Sequence, residues 1–197
     1  MSDFTVAILA GGKSSRMGRN KAFIKIGGQA ILQRIINVTT DLGQSKTMLI
    51  TNTPDLYTDY DLAMYSDIVP DSGSLGGIYT ALFHSQTAYT VMIACDMPFV
   101  SADVLRIMLA QRQNFDAVVP TVKGYPQGLH AIYRHTCLDL IRENIEQNKL
   151  KVSKIFDDLQ VNYLDESALA DVNTNGLALM NVNTPDDLKR AREFYGE

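Results

Sequence analysis

Residues suited to a phosphorylated ligand are concentrated near the start of the chain. Gly11 and Gly12 break an apolar run, Val6-Ala7-Ile8-Leu9-Ala10, and Gly18 closes the loop behind them. Five of the eighteen Lys and Arg residues (Lys13, Arg16, Arg19, Lys21 and Lys25) lie in or just after that loop, with no Asp or Glu between Lys13 and Lys25. In a chain of formal net charge −4 such a cluster marks a local anion site. Glycine lets backbone N–H groups turn toward a phosphate oxygen and lets the chain take positive φ, while Lys and Arg supply the countercharge. The plainer alternative is a Gly-Gly turn followed by exposed basic residues; the coincidence of strand, glycines and cations weighs against it. Two better-known loops do not fit. P-loop spacing from Gly12 would need Gly and Lys where Met17 and Gly18 stand, and G-x-G-x-x-G is absent.

Asp96 follows the apolar run Y-T-V-M-I-A and stands just before Met97-Pro98, so its carboxylate sits on a stiff turn at a strand end. Mg²⁺ takes hard oxygen ligands and in nucleotide sites is held by one or two protein groups plus phosphates and water, so a single carboxylate suffices. On residue type alone, Asp96 could equally cap the next helix or pair with a lysine. Asp71, in P-D-S-G-S-L-G-G, lies in a strong turn signal. Gly76 and Gly77 in the same stretch would let backbone approach a ligand. Asn181 and Asn183, spaced by one residue in M-N-V-N-T-P, would share a face of a strand. Their amides either meet metal or acceptor, or tie down the strand end and the following cap. His130 reads as a packed histidine, and Cys95 and Cys137 as small buried thiols, too few and too isolated for a disulfide framework or C-x-x-C metal site.

The elements that must position these groups alternate. Strands are expected at 46–51, 63–69, 89–94, 117–122, 161–164 and 177–182, and helices at 30–42, up to 85, from 101, at 136–148, around 152–159 and from Pro185 to about Tyr195. Ser101 and Thr184 are the expected N-caps, with Pro185 at the first helical position and Asp186 and Asp187 facing the dipole. This alternation predicts one α/β domain spanning 1–197, with a largely parallel sheet and helices on both faces. At 46% hydrophobic content the chain can bury a full core. No apolar stretch reaches ~18 residues and no signal-peptide layout opens the chain, which predicts a cytoplasmic protein with no membrane span. The acidic balance argues against nucleic-acid coating.

The run L-A-G-G-K-S-S-R-M-G at 9–18, with Lys21 three residues on, resembles the nucleotidyltransferase signature L-A-G-G-x-S-x-R-M-G-x-x-K, and within that superfamily is most similar to the MobA-like molybdenum cofactor guanylyltransferases. C-D-M-P-F-V around Asp96, G-S-L-G-G at 73–77 (G-P-L-A-G in the family), Q-G-L-H-A-I-Y around His130 and N-V-N-T-P-D-D-L at the C-terminal end extend the likeness over nearly the whole chain. The resemblance implies a three-layer, Rossmann-like fold with one antiparallel strand. It implies nucleotide contacts from Leu9, Ala10, Gly11, Gly12, Lys21, Asn52, Asp71 and Asp96, catalytic roles for Arg16, Lys21 and Asp96, a metal-ligand role for Asp96 with Mg²⁺ as cofactor, and acceptor contacts from Asn181 and Asn183. The implied reaction moves GMP from GTP to molybdenum-bound molybdopterin and releases pyrophosphate, with transient contact to proteins that deliver or accept the cofactor. A cytidylyltransferase acting on molybdopterin, a transferase with a sugar or alditol phosphate acceptor, and a non-catalytic nucleotide sensor are the alternatives.

Overall fold

A computed structural model describes residues 4–11, 20–43 and 46–197. Gly12, Lys13, Arg16, Gly18 and Arg19 of the basic loop lie outside the described residues. Strand β1 (Phe4–Leu9) is central, flanked by β4 (Lys46–Ile50) and β6 (Tyr89–Ala94), both parallel to it. Its side chains alternate: Val6 and Ile8 enter one core, Ala7 the other. Every residue of β6 is buried, as a strand covered on both faces requires.

Around these lie β5 (Ala63–Tyr65), β7 (Ala117–Val122), β9 (His130–Arg134) and β10 (Val161–Leu164), in the order β10-β7-β9-β6-β1-β4-β5, with the two-residue β8 (Tyr125–Pro126) paired to the end of β7. Strand β9 is antiparallel to both its neighbours, the expected exception to a parallel sheet; short β8 is antiparallel to β7 as well. Helices α1 (Ile31–Asp41), α3 (Ala102–Ala110) and α6 (Pro185–Glu193) cover one face through Ile31, Leu32, Ile35, Val104, Leu105, Met108 and Ala191. Helices α2 (Gly73–His84), α4 (Cys137–Glu146) and the short α5 (Val152–Ile155) cover the other through Leu75, Ile78, Leu82, Ile141 and Ile155. No helix among the described residues is long and apolar enough to cross a membrane.

The structure departs from the sequence expectations in places that shape the site. The third strand stops at Tyr65 rather than 69, because side chains take the next amides: Asp67 N–H donates to Asn52 Oδ1 at 2.8 Å and Ile68 N–H to Thr80 Oγ1 at 3.0 Å. Gly76 and Gly77 lie inside α2, not in a loop. A Cβ on Gly76 would come within 2.8 Å of Ser72 Cβ, so this glycine serves the close packing of the helix start. The expected strand at 177–182 is absent. Asn175 and Gly176 take left-handed φ of 68° and 67° within the turns at Thr174–Leu179, which breaks any ladder, and residues 180–183 have no strand partner. A hairpin of β2 (Lys25–Ile26) and β3 (Gln29–Ala30) was not expected; Gly27 and Gly28 at φ 57° and 75° supply the positive dihedrals of its tight turn. The C-terminal start signal does form its cap. Thr184 Oγ1 accepts from Asp187 N–H at 3.1 Å and Asp187 Oδ2 accepts from Thr184 N–H at 2.9 Å.

His130 is a core residue, 1% exposed, with Nδ1 3.2 Å from Met97 Sδ, and burial pushes its pKa down to about 4. The unfolded chain therefore binds a proton at this histidine more readily than the folded one, and the contribution is fully favourable above about pH 6.5 and is lost as pH falls toward about 4. Urea unfolding should accordingly show stability falling over that window by up to ~3 kcal/mol, at ~1.4 kcal/mol per pKa unit. His130→Leu should flatten that stretch of the profile; parallel wild-type and mutant profiles would show that His130 does not cause it.

Candidate functional site

Lys21 is held above the end of β1 by a chain of polar contacts. Asn20 caps the short 3₁₀ turn Lys21–Phe23, its Oδ1 accepting from Ala22 N–H at 3.1 Å. The same amide donates through Nδ2 to the Tyr57 hydroxyl at 2.8 Å, and that hydroxyl donates to Ala10 O at 3.4 Å. Tyr57 is fully buried, and burial raises its pKa, so the phenol stays neutral and able to donate. The turn is thereby tied to the backbone that leaves β1.

From there the Lys21 ammonium reaches two oxygens from distant parts of the chain. Its Nζ lies 3.2 Å from Asp96 Oδ2 and donates to Asn183 Oδ1 at 2.6 Å. The Lys21 and Asp96 side chains are only 17% and 19% exposed, so the pair is poorly screened by solvent. Asp96 is placed by its backbone. Cys95 N–H continues the ladder from β6 to Leu9 O at 3.0 Å, and Asp96 O accepts from Val182 N–H at 2.8 Å. The N-cap of α3 is Ser101, whose Oγ accepts from Val104 N–H at 3.5 Å, so the helix-capping alternative for Asp96 is ruled out and the lysine pairing is what forms.

These contacts border a cleft of about 490 Å³ at the carboxyl ends of β1, β4 and β6, where ligands bind in open parallel sheets. Leu9, Ala10, Gly11, Lys21, Asn52, Asp71 and Asp96 all line it, residues the sequence marked for the nucleotide. Gly12, marked with them, and Arg16, marked for catalysis, lie outside the described residues. Asp71 stands at the mouth, just ahead of α2, at φ 58°. Gly77, now a helical residue, still forms part of the wall: a Cβ there would lie 3.6 Å from Leu9 Cδ2 and 3.9 Å from Asp67 Oδ1.

Asp67 was missed. It lines the cleft and clasps Asn52 twice, accepting from Asn52 Nδ2 at 2.8 Å while its own N–H donates back to Asn52 Oδ1 at 2.8 Å. A strand expected to run to 69 places Asp67 inside it; the strand stops at Tyr65, and an Asp just after a strand end is the signal. Asn181 and Asn183 do not act as a matched pair on a strand. Asn183 meets Lys21, whereas Asn181 Oδ1 is buried without a partner among the described residues.

Among the described residues, the Cys95 thiol beside the cleft is not an activated nucleophile. Burial, aided by the Asp96 charge, pushes the Cys95 thiol up to about 12, so it is a protonated thiol at neutral pH. Among the described residues no cluster of three or more His, Cys, Asp or Glu side chains could hold a metal. Asp96 and Asn183 offer a hard carboxylate and an amide oxygen beside the cleft, a donor set suited to a cation that completes its shell with phosphate and water. A second cleft, of about 390 Å³, lies between α1, the loop after β6 and Tyr195, and none of the site residues marked in the sequence lines it. Arg34 is spent there on structure, donating to Tyr195 Oη and Ile26 O with its guanidinium 4.4 Å from the centre of the Tyr195 ring.

The MobA-like NTP transferase domain family matches residues 6–161. A probable molybdenum cofactor guanylyltransferase from Pelotomaculum thermopropionicum is 34% identical over 98% of this chain and 93% of its own. One so named from Clostridium perfringens is 37% identical over 76% of this chain and 75% of its own. The crystal structure of molybdopterin-guanine dinucleotide biosynthesis protein A from Archaeoglobus fulgidus, 28% identical, superposes with a TM-score of 0.86 over 98% of each chain. With the cleft at the strand ends and a match running over most of its length, the chain belongs to the MobA-like NTP transferase family and is a nucleotidyltransferase.

Proposed function

We propose that the protein transfers GMP from GTP to molybdenum-bound molybdopterin, giving the guanine dinucleotide form of the cofactor and pyrophosphate. The observation that carries this reading is the meeting of Lys21, Asp96 and Asn183 at the rim of a strand-end cleft, in a chain whose relatives bear that activity in their names. A terminal phosphate oxygen of the acceptor attacks the α-phosphorus of GTP; the new P–O bond forms as the bond to the bridging oxygen of the β-phosphate breaks, and pyrophosphate leaves with that electron pair. The attacking oxygen is already anionic at neutral pH, so the step needs no general base. Buried His130 and the protonated Cys95 thiol are accordingly no obstacle.

The protein's task is then alignment and charge neutralisation. Backbone at Ala10 and Gly11, with the adjoining Gly12, would cradle the triphosphate, while Lys21 and Arg16 offset charge moving onto the leaving pyrophosphate. Asp96 would hold Mg²⁺, with the Asn183 amide oxygen close by. When bound, the ion supplies charge neutralisation across the phosphates. Asn181 and Asn183 would meet the acceptor from the C-terminal segment. For the base, Asp67 supports guanine over cytosine: its carboxylate only accepts hydrogen bonds, and the guanine pairing edge offers two adjacent N–H donors where the cytosine edge offers one donor beside two acceptors.

Pyrophosphate release from GTP that depends on added acceptor would establish transfer; nucleotide binding with no turnover under any acceptor would instead mark a sensor. Asp96→Asn keeps the shape but removes the charge that holds the cation. Its melting temperature should stay close to wild type while Mg²⁺-dependent release collapses, with only partial recovery at high Mg²⁺. Near-normal turnover at low Mg²⁺ would remove Asp96 from the mechanism.

GTP should be preferred over CTP by at least about tenfold in kcat/KM, since hydrogen bonding to a base edge discriminates strongly. Asp67→Asn, which puts a donor where the Asp67 carboxylate could only accept, should narrow that ratio. A CTP preference in the wild-type protein would overturn the choice of base.

A further inference from the structure

We infer that the Lys21 ammonium is the resident cation of the nucleotide-free site. It holds the place of the divalent ion at Asp96, so that the ion enters with the triphosphate and not before it. The inference rests on the reading of Asp96 as the carboxylate that holds the metal. Lys21 Nζ stands 3.2 Å from Asp96 Oδ2 and 2.6 Å from Asn183 Oδ1, so it engages the two hard oxygens that a cation would seek on this rim. The Lys21 and Asp96 side chains are largely withdrawn from solvent, so repulsion between the ammonium and a second cation on the same carboxylate is weakly screened. The lysine cannot drift away with its backbone, because its turn is tied through Asn20 and Tyr57 to Ala10. Only its side chain can swing.

A triphosphate changes this balance. It offers the ammonium a row of anionic oxygens in the adjoining cleft, and drawing Lys21 onto them frees the Asp96 carboxylate for the divalent ion. The same move releases the Asn183 amide, so the C-terminal segment becomes available to an acceptor only after the donor nucleotide has arrived. Metal and nucleotide are then positively coupled, and by linkage each must raise the affinity for the other by the same factor.

The coupling can be measured without turnover, using Mn²⁺ as an oxygen-seeking substitute for Mg²⁺ and electron paramagnetic resonance of the free ion. Wild-type protein alone should bind Mn²⁺ weakly. A non-hydrolysable GTP analogue should raise that affinity at least about tenfold, after correction for metal held by the free nucleotide. Lys21→Met, close in shape but uncharged, should bind Mn²⁺ alone about tenfold more tightly than wild type and lose most of the enhancement by nucleotide. Lys21→Gln should do the same, and circular dichroism of both variants checks that the fold persists. Wild-type protein that binds Mn²⁺ alone as tightly as both Lys21 variants overturns the inference. Adding Asp96→Asn to Lys21→Met separates this failure from that of the underlying reading. If the double variant loses the ion but Lys21→Met binds no better than wild type, only the resident-cation inference falls. If Asp96→Asn leaves Mn²⁺ binding unchanged, the metal role of Asp96 falls and the inference falls with it.

Discussion

A lysine ammonium shared between a carboxylate and an amide oxygen ties three segments that are far apart in the chain. Lys21 comes from the turn after the basic loop, Asp96 from the end of β6, and Asn183 from the segment before α6, 75 and 162 residues from the lysine. The backbone repeats the connection, since Asp96 O accepts from Val182 N–H at 2.8 Å. Each tie brings a group of a different kind to one rim: a positive charge, a negative charge, and a neutral oxygen. Phosphoryl chemistry that proceeds without a covalent intermediate calls for such a set, because its demands are alignment and charge compensation.

The sheet topology explains why the three can meet. Strand β1 sends its chain through α1 to β4 on one side, and the return through α2 places β6 on the other, so the strand order reverses beside β1. The carboxyl ends of β1 and β6 therefore face a cleft, lined there by Leu9, Ala10, Gly11, Ala94, Cys95 and Asp96. Full burial of β6 and the two helix layers make that end rigid, which lets a single carboxylate be aimed with little freedom. Antiparallel β9 seals β6 on its far side, and His130 under Met97 fills the space behind the Asp96 turn.

Much of this was legible in the sequence, for identifiable reasons. The buried strand 89–94 was marked by its continuous apolar run, and the last helix by Thr184 and Pro185, whose expected N-cap forms, with Asp187 closing it reciprocally. Leu9, Ala10, Gly11, Lys21, Asn52, Asp71 and Asp96 all reach one cleft. What escaped depended on side chains competing for backbone amides, which periodicity does not record. Asn52 and Thr80 intercept the amides of Asp67 and Ile68, end β5 early and create the Asp67 wall. Asn175 and Gly176 turn left-handed and convert an apparent strand into turns, which sends Asn181 and Asn183 to different surroundings. The lysine bridge itself was visible only as one of two alternatives for Asp96, because no local pattern links positions so distant.

A crystal structure of the protein grown with Mg²⁺ and a non-hydrolysable GTP analogue tests most directly whether the strand-end cleft binds the triphosphate and its cation. The triphosphate is expected along Ala10 and Gly11 with Lys21 turned onto it, and the ion on the Asp96 carboxylate. Nucleotide seated in the second cleft, against Arg34, Phe99 and Tyr195, with Lys21 still bound to Asp96 and Asn183, would contradict it.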